Sequence, residues 1–159
     1  MFSGRLTQAA LRAFDWLSAR LHPPDDSVAE HLQTGRRGEE EAYFYLRRLG
    51  YIMIARNYRS PHHRGELDLV GWQQDVLCFI EVKTRTTRAV RPAEAAVDHE
   101  KQNDLRLVAR DFLRHLPAAP GSWRFDVLAV YYDRGFRNPS FELFQNAFPV
   151  AYNRRFVRS

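Results

Sequence analysis

Apolar positions recur with a helical period in some stretches of the chain and alternate in others. Across residues 1–22, Leu6, Ala10, Ala13, Leu17 and Leu21 return near helical spacing and predict an amphipathic helix. His22-Pro23-Pro24 and Asp25-Asp26-Ser27 end it and read as a linker. A second helix is expected over 35–49, with Ala42, Leu46 and Leu49 as its stripe and Gly50 just past its end. Residues 51–59 alternate as a strand and 60–64 form a loop. Two further strands, 66–72 and 76–83, flank a polar turn. Residues 86–96 read as a loop. Asp98 suits the N-cap of a helix running to about 116, buried through Leu105, Val108, Ala109, Phe112 and Leu116. Residues 124–132 and 140–148 close the series as strands. Strands bracketed by helices predict an α/β fold, with a mixed central β-sheet flanked by helices.

The hairpin 65–85 breaks the rules of its own elements. Its strands are apolar and β-branched, yet the first carries Asp68 and the second Glu81 and Lys83. Charged side chains are seldom buried unless paired or bound to metal. With period two, Leu77, Phe79, Glu81 and Lys83 share one face, and Cys78, Ile80 and Val82 the other. A two-residue loop, Gln74-Asp75, would set Asp68 opposite Glu81 with their Cβ atoms about 5 Å apart. An odd loop without a bulge would separate them. Two carboxylates that close repel each other, and one pKa rises unless a cation lies between them.

Stepping back from Ala42 by three reaches Glu39, the one member of Glu39-Glu40-Glu41 in line with the helix stripe. An acid there is a satisfied core group, a site residue or a complement to the helix dipole. Lys101 and Gln102 open the stripe of the later helix, while Arg106, Arg110 and Arg114 form a basic row at spacing four. His62-His63 is read as a solvated loop pair rather than a metal site.

Of the 159 residues 24 are basic and 19 acidic, a net charge of +5 that suits a polyanionic partner. Only Lys83 and Lys101 are lysines; every other basic residue is arginine. Those two positions ask for a compact, strongly hydrated ammonium instead of a planar fork. The one cysteine, Cys78, rules out an internal disulfide and fits a reducing compartment. No apolar run approaches the ~18 residues of a membrane span, and the N-terminal stretch lacks a signal peptide's apolar region. A cytoplasmic protein with no stable membrane insertion is expected. The N-terminal helix, with Arg5, Arg12 and Arg20, is expected to pack on the domain or to be partly disordered, rather than to lie on a membrane surface. The domains expected are 1–33 (helix and linker), 34–149 (α/β domain) and 150–159 (basic tail).

Glu39, GELDLV, FIEVKTR and the later KQ together resemble the PD-(D/E)xK nuclease-like fold. The ordered set GRRGEEEA, YLRRLGY, RNYR, GELDLV, FIEVKTR, AVDHEKQ, RFDVLAV and NAF resembles more closely the YraN-like family (UPF0102), related in fold to Holliday-junction resolvases and restriction endonucleases. That resemblance spans about 35–148 and leaves out the N-terminal helix. It implies a restriction-endonuclease-like core in which Asp68 and Glu81 are the motif acids, Lys83 the motif lysine and Glu39 the helix acid. Lys101 and Gln102 take the place of a later auxiliary motif, and Leu67 stands where the motif has proline. The activity implied is metal-dependent cleavage of phosphodiester bonds in DNA, branched or structured DNA included. Mg²⁺ or Mn²⁺ would be held by Asp68, Glu81, the Val82 carbonyl and Glu39. Lys101, Gln102, Arg85 and Arg106 are the expected nucleic-acid contacts, and a two-fold junction would call for a homodimer. The alternatives are a non-catalytic nucleic-acid-binding or scaffold protein that keeps the fold, and a buried salt bridge of Lys83 with Asp68 or Glu81.

Overall fold

A computed structural model of the chain describes residues 26–85, 97–132 and 138–150. The predicted N-terminal helix, the 86–96 loop and the C-terminal tail lie outside the described residues. The chain falls into two compact units, Met1–Arg37 and Gly38–Ser159.

The first described helix, α1 (Asp26–Arg48), begins nine residues before the predicted start. Asp26 and Ser27 are favoured at helix starts, and Ala29, Glu30, Leu32 and Gln33 are good helix formers that carry the helix through Gly35. Its end follows the sequence. Gly50 takes φ +90°, Tyr51 N–H donates to Leu46 O and Gly50 N–H to Arg47 O, which is a Schellman closure.

Strands β1 (Ile52–Arg59), β2 (Glu66–Gln73), β3 (Val76–Arg85), β4 (Ser122–Tyr131) and β5 (Ser140–Phe148) lie in one sheet in chain order. All neighbours are antiparallel except β3 and β4, which run parallel because helix α2 (His99–Arg114) crosses between them. The sheet is therefore mixed, and the protein is α/β.

Among the described residues, each face of the sheet carries one helix. Ala42 and Leu46 of α1 pack with Leu69, Cys78, Ile80, Leu128 and Val130. Leu105, Val108, Ala109 and Phe112 of α2 pack on the other face with Leu77, Phe79, Phe125, Val127 and Ala129. Cys78 is buried on the α1 face, and burial pushes its thiol up to about 11, so it is inert packing. Leu49, expected in the α1 stripe, is exposed at the helix end, although its N–H still donates to Tyr45 O.

Asp126 on β4 is fully buried and fully used. Arg124 Nε donates to both its oxygens at 2.8 and 3.1 Å, and the Asn146 N–H donates to it at 2.8 Å. Arg124 continues to Gln73 and Tyr51, and Gln145 donates to the same two. This network ties strands β2, β4 and β5 to the start of β1.

Candidate active site

The hairpin turn is the two-residue one, Gln74-Asp75, with Gln74 in the left-handed region at φ 53°. Pairing runs from Gln73↔Val76 to Leu69↔Ile80 and stops there. One further step in that register sets Asp68 across from Glu81. Beyond the last pair β2 stays with β1 as far as Glu66↔Arg59, while β3 stays with β4 as far as Arg85↔Tyr131. The two middle strands thus fork.

Asp68 spans the fork. Its Oδ2 accepts the main-chain N–H of Val82 at 2.7 Å, a bond that a strand carbonyl would otherwise supply. An extended residue presents its N–H and C=O on the same edge, so the Val82 carbonyl faces the same gap. Asp68 is 7% exposed and Glu81 5%. Burial pushes the Asp68 carboxyl up to about 7; the Glu81 charge adds to this, and the Val82 amide and the Lys101 charge oppose it.

Glu81 sits beside two ammonium groups. Its Oε1 lies 2.8 Å from Lys83 Nζ and 3.5 Å from Lys101 Nζ. Its Oε2 is buried and has no hydrogen-bond partner among the described residues. Lys101 arrives from α2, whose first turn is set by the Asp98 side chain accepting Lys101 N–H at 2.8 Å. Two lysines share one carboxylate oxygen, and they are the two lysines of the chain.

Glu39 comes from the α1 side. The residue before it, Gly38, touches β3 so closely that a Cβ there would meet the Thr84 hydroxyl and methyl. Burial raises the Glu39 pKa, and the Glu66 and Glu81 charges add to it; a hydrogen bond from Asn57 and the Arg56 charge oppose. Glu39 is half-buried, whereas Glu40 is the buried acid of the cluster. Asn57 was not singled out from the sequence. It holds φ 48° inside β1, a conformation asparagine tolerates, and an asparagine within a strand is the signal that was there to read.

The expected nucleic-acid contacts divide. Arg85 lies on the Glu81–Lys83 face of β3, and its Nε is buried without a partner among the described residues. Arg106 is instead 5% exposed: it donates to Pro149 O (2.9 Å), Asn103 (2.9 Å) and Gln102 (3.1 Å) and stacks on Phe148. Helical periodicity could not separate it from Arg110 and Arg114, which are exposed, because the carbonyl it binds lies 43 residues away. Gln102 is spent on Arg106 and on Val97 O at 2.9 Å, bracing the entry to α2. A basic pair the sequence did not suggest lies on α1 and β1, where Arg47 and Arg56 stand over the Tyr43 ring at 5.8 and 4.8 Å. His62 is exposed, and its N–H donates to Ser60 Oγ.

Among the described residues no three His, Cys, Asp or Glu side chains are grouped to hold a metal unaided. The donors at the fork are two carboxylates and a main-chain carbonyl, all hard oxygens, with one buried carboxylate oxygen unsatisfied among the described residues. That set fits Mg²⁺ or Mn²⁺, which are commonly held by one or two carboxylates with water completing the shell.

A mixed α/β sheet that forks around an Asp, a Glu and a Lys on adjacent strands is consistent with a nuclease-like core. The chain belongs to the uncharacterised protein family UPF0102, whose model matches residues 38–130, a span that contains Glu39, Asp68, Glu81, Lys83 and Lys101. It is 54% identical over 142 residues to a UPF0102 protein of Koribacter versatilis, covering 89% of this chain and 94% of that one. A UPF0102 protein of Solibacter usitatus is 39% identical over 137 residues (86% and 96%), and one of Pelotomaculum thermopropionicum 40% over 114 (72% and 93%).

Proposed function

We propose that this protein is a metal-dependent nuclease that hydrolyses phosphodiester bonds in DNA, with branched or structured DNA as substrate. The observation that carries this reading is the buried Asp68–Glu81 pair at the strand fork, with Glu81 Oε2 unsatisfied among the described residues and two ammonium groups alongside. Stability alone gives little reason to bury two carboxylates side by side.

Asp68, Glu81 and the Val82 carbonyl would hold the cation, with Glu39 from α1 reaching it through a bound water. Bound there, Mg²⁺ or Mn²⁺ supplies Lewis-acid polarisation of the phosphoryl group and acidifies water. Lys83 stabilises negative charge that develops on the phosphate and can orient the attacking water. The Val82 N–H keeps Asp68 aimed into the fork. Arg85, half-buried on the Glu81–Lys83 face of β3, would turn its guanidinium toward a phosphate next to the scissile one. Arg47 and Arg56, steadied on Tyr43, extend the phosphate track along α1. None of these contacts reads base sequence. A two-fold junction as substrate would require two copies of the chain.

A second reading rests on a specific observation: Glu81 Oε1 already has two cationic partners, so the pair could persist as a fixed polar network in a DNA-binding protein that does not cut. The cytoplasm, reducing and rich in nucleic acid, suits either reading. No described helix is long and apolar enough to cross a membrane.

The deciding experiment is a cleavage panel of flap, four-way junction, single-stranded and nicked DNA with Mg²⁺ or Mn²⁺. Asp68→Ala and Glu81→Ala should abolish cutting while retaining binding in EDTA or Ca²⁺. Wild-type protein that cuts none of these substrates with either ion favours the non-cutting reading.

A further inference from the structure

We propose that Lys101 is a resident counter-cation of the carboxylate pair, displaced from Glu81 when a divalent ion binds and thereby released toward the phosphate. This rests on the cation site proposed above. Lys83 and Lys101 share Glu81 Oε1, but they are held differently. Lys83 rises from β3 itself, two residues along the same strand face, and its 2.8 Å contact is a direct charge-assisted hydrogen bond. Lys101 reaches across from α2 at 3.5 Å, a third of its side chain is exposed, and Glu81 is its one ion-pair partner among the described residues. Its main chain is pinned by the Asp98 cap, so the four-carbon stem can swing without moving the helix.

The ammonium therefore stands where a second positive charge would repel an incoming cation, and it is the partner that can leave. The residue type fits the role. An arginine fork would bind the carboxylate in two-point fashion and resist displacement, whereas an ammonium is a compact charge on flexible torsions. In a chain with twenty-two arginines, lysine at 101 keeps the exchange reversible.

Titration of Mn²⁺ and of Ca²⁺ into the full chain without DNA, by calorimetry, tests this with no catalytic readout. Lys101→Gln should bind either ion about tenfold more tightly, the scale set by a divalent ion's repulsion from an ammonium ~5 Å away in a water-like medium. Lys101→Arg should bind no more tightly than wild type. In Ca²⁺, a four-way-junction oligonucleotide should bind Lys101→Gln at least threefold more weakly than wild type. A brace would lower thermal stability without this opposed pair of changes. Cation affinity that is unchanged or weaker in Lys101→Gln overturns the proposal. Wild-type protein that binds neither ion overturns it together with the cation site; cation binding without DNA cleavage counts against the nuclease reading alone.

Discussion

Asp68 Oδ2 and the Val82 main-chain N–H meet at 2.7 Å across the point where β2 and β3 stop pairing. A side chain thus replaces a ladder bond, which keeps Val82 N–H satisfied while the strands part. The cost is a carboxylate, 7% exposed, facing a second one.

That cost is visible in pH dependence. The folded Asp68 pKa of about 7 lies above its ordinary 3.8, so the folded state holds the proton more tightly than the unfolded chain. The stability this proton confers is complete below pH 3.8 and is lost as pH rises through about 7. Asn at 68 still accepts the Val82 N–H but cannot ionise. In EDTA, Asp68→Asn should be more stable than wild type at pH 8, by on the order of 3 kcal/mol, and the gap should shrink steadily toward pH 4. Urea denaturation at four pH values measures it; an equal difference at pH 5 and pH 8 contradicts the burial argument.

A divalent cation should reverse the same cost. At pH 8, millimolar Mg²⁺ should raise the melting temperature of the wild-type protein, and the rise should be smaller at pH 5, where protons compete for Asp68. Asp68→Ala should lose most of the shift. Thermal scans with and without Mg²⁺ provide the check, and a shift of equal size in the variant would place the cation elsewhere.

Gly38 sets how near Glu39 comes to the fork. Gly38→Ala drives a methyl into the Thr84 side chain and should destabilise the protein by about 1–3 kcal/mol. Adding Thr84→Ala should recover part of that loss. Chemical denaturation of the two single variants and the double variant gives the coupling; strict additivity would mean that the close approach is not what Gly38 serves.

The arginines should sort by burial. Arg47→Ala and Arg56→Ala should each flatten the salt dependence of DNA affinity by about one unit of slope. Arg106→Ala should leave the slope alone and cost about 2–4 kcal/mol of stability, because Pro149 O and its other partners lose their donor. Binding isotherms at four salt concentrations, together with a melting curve, separate the two groups.

The elements were legible because each rests on local rules. The Gly50 closure, the Asp98 cap and the five strands follow from spacing, caps and β-branched runs within a few residues of one another. The start of α1 is not legible from spacing, because an interior Gly35 and a weak stripe mask a segment of good helix formers.

Charge within an apolar strand was the signal for Asp68 and Glu81, and Asp126 carries the same signal in RFDV. Tertiary partners separate the cases. Asp126 receives Arg124 from its own strand and Asn146 N–H from a β5 residue at φ 53°, so none of its charge is left over. Glu81 receives two lysines on one oxygen and, among the described residues, no hydrogen-bond partner on the other.

From the sequence alone came the strand alternation that puts Glu81 and Lys83 on one face, the even turn that can oppose Asp68 to Glu81, and the family. Only the tertiary structure decided that β2 and β3 fork at that level, that Lys101 crosses from α2 to join Glu81, and that Arg106 turns inward. The reason is physical. Periodicity and caps act over one or two turns of chain, whereas Glu81–Lys101 and Arg106–Pro149 join residues 20 and 43 positions apart, brought together by packing on opposite sides of a shared core.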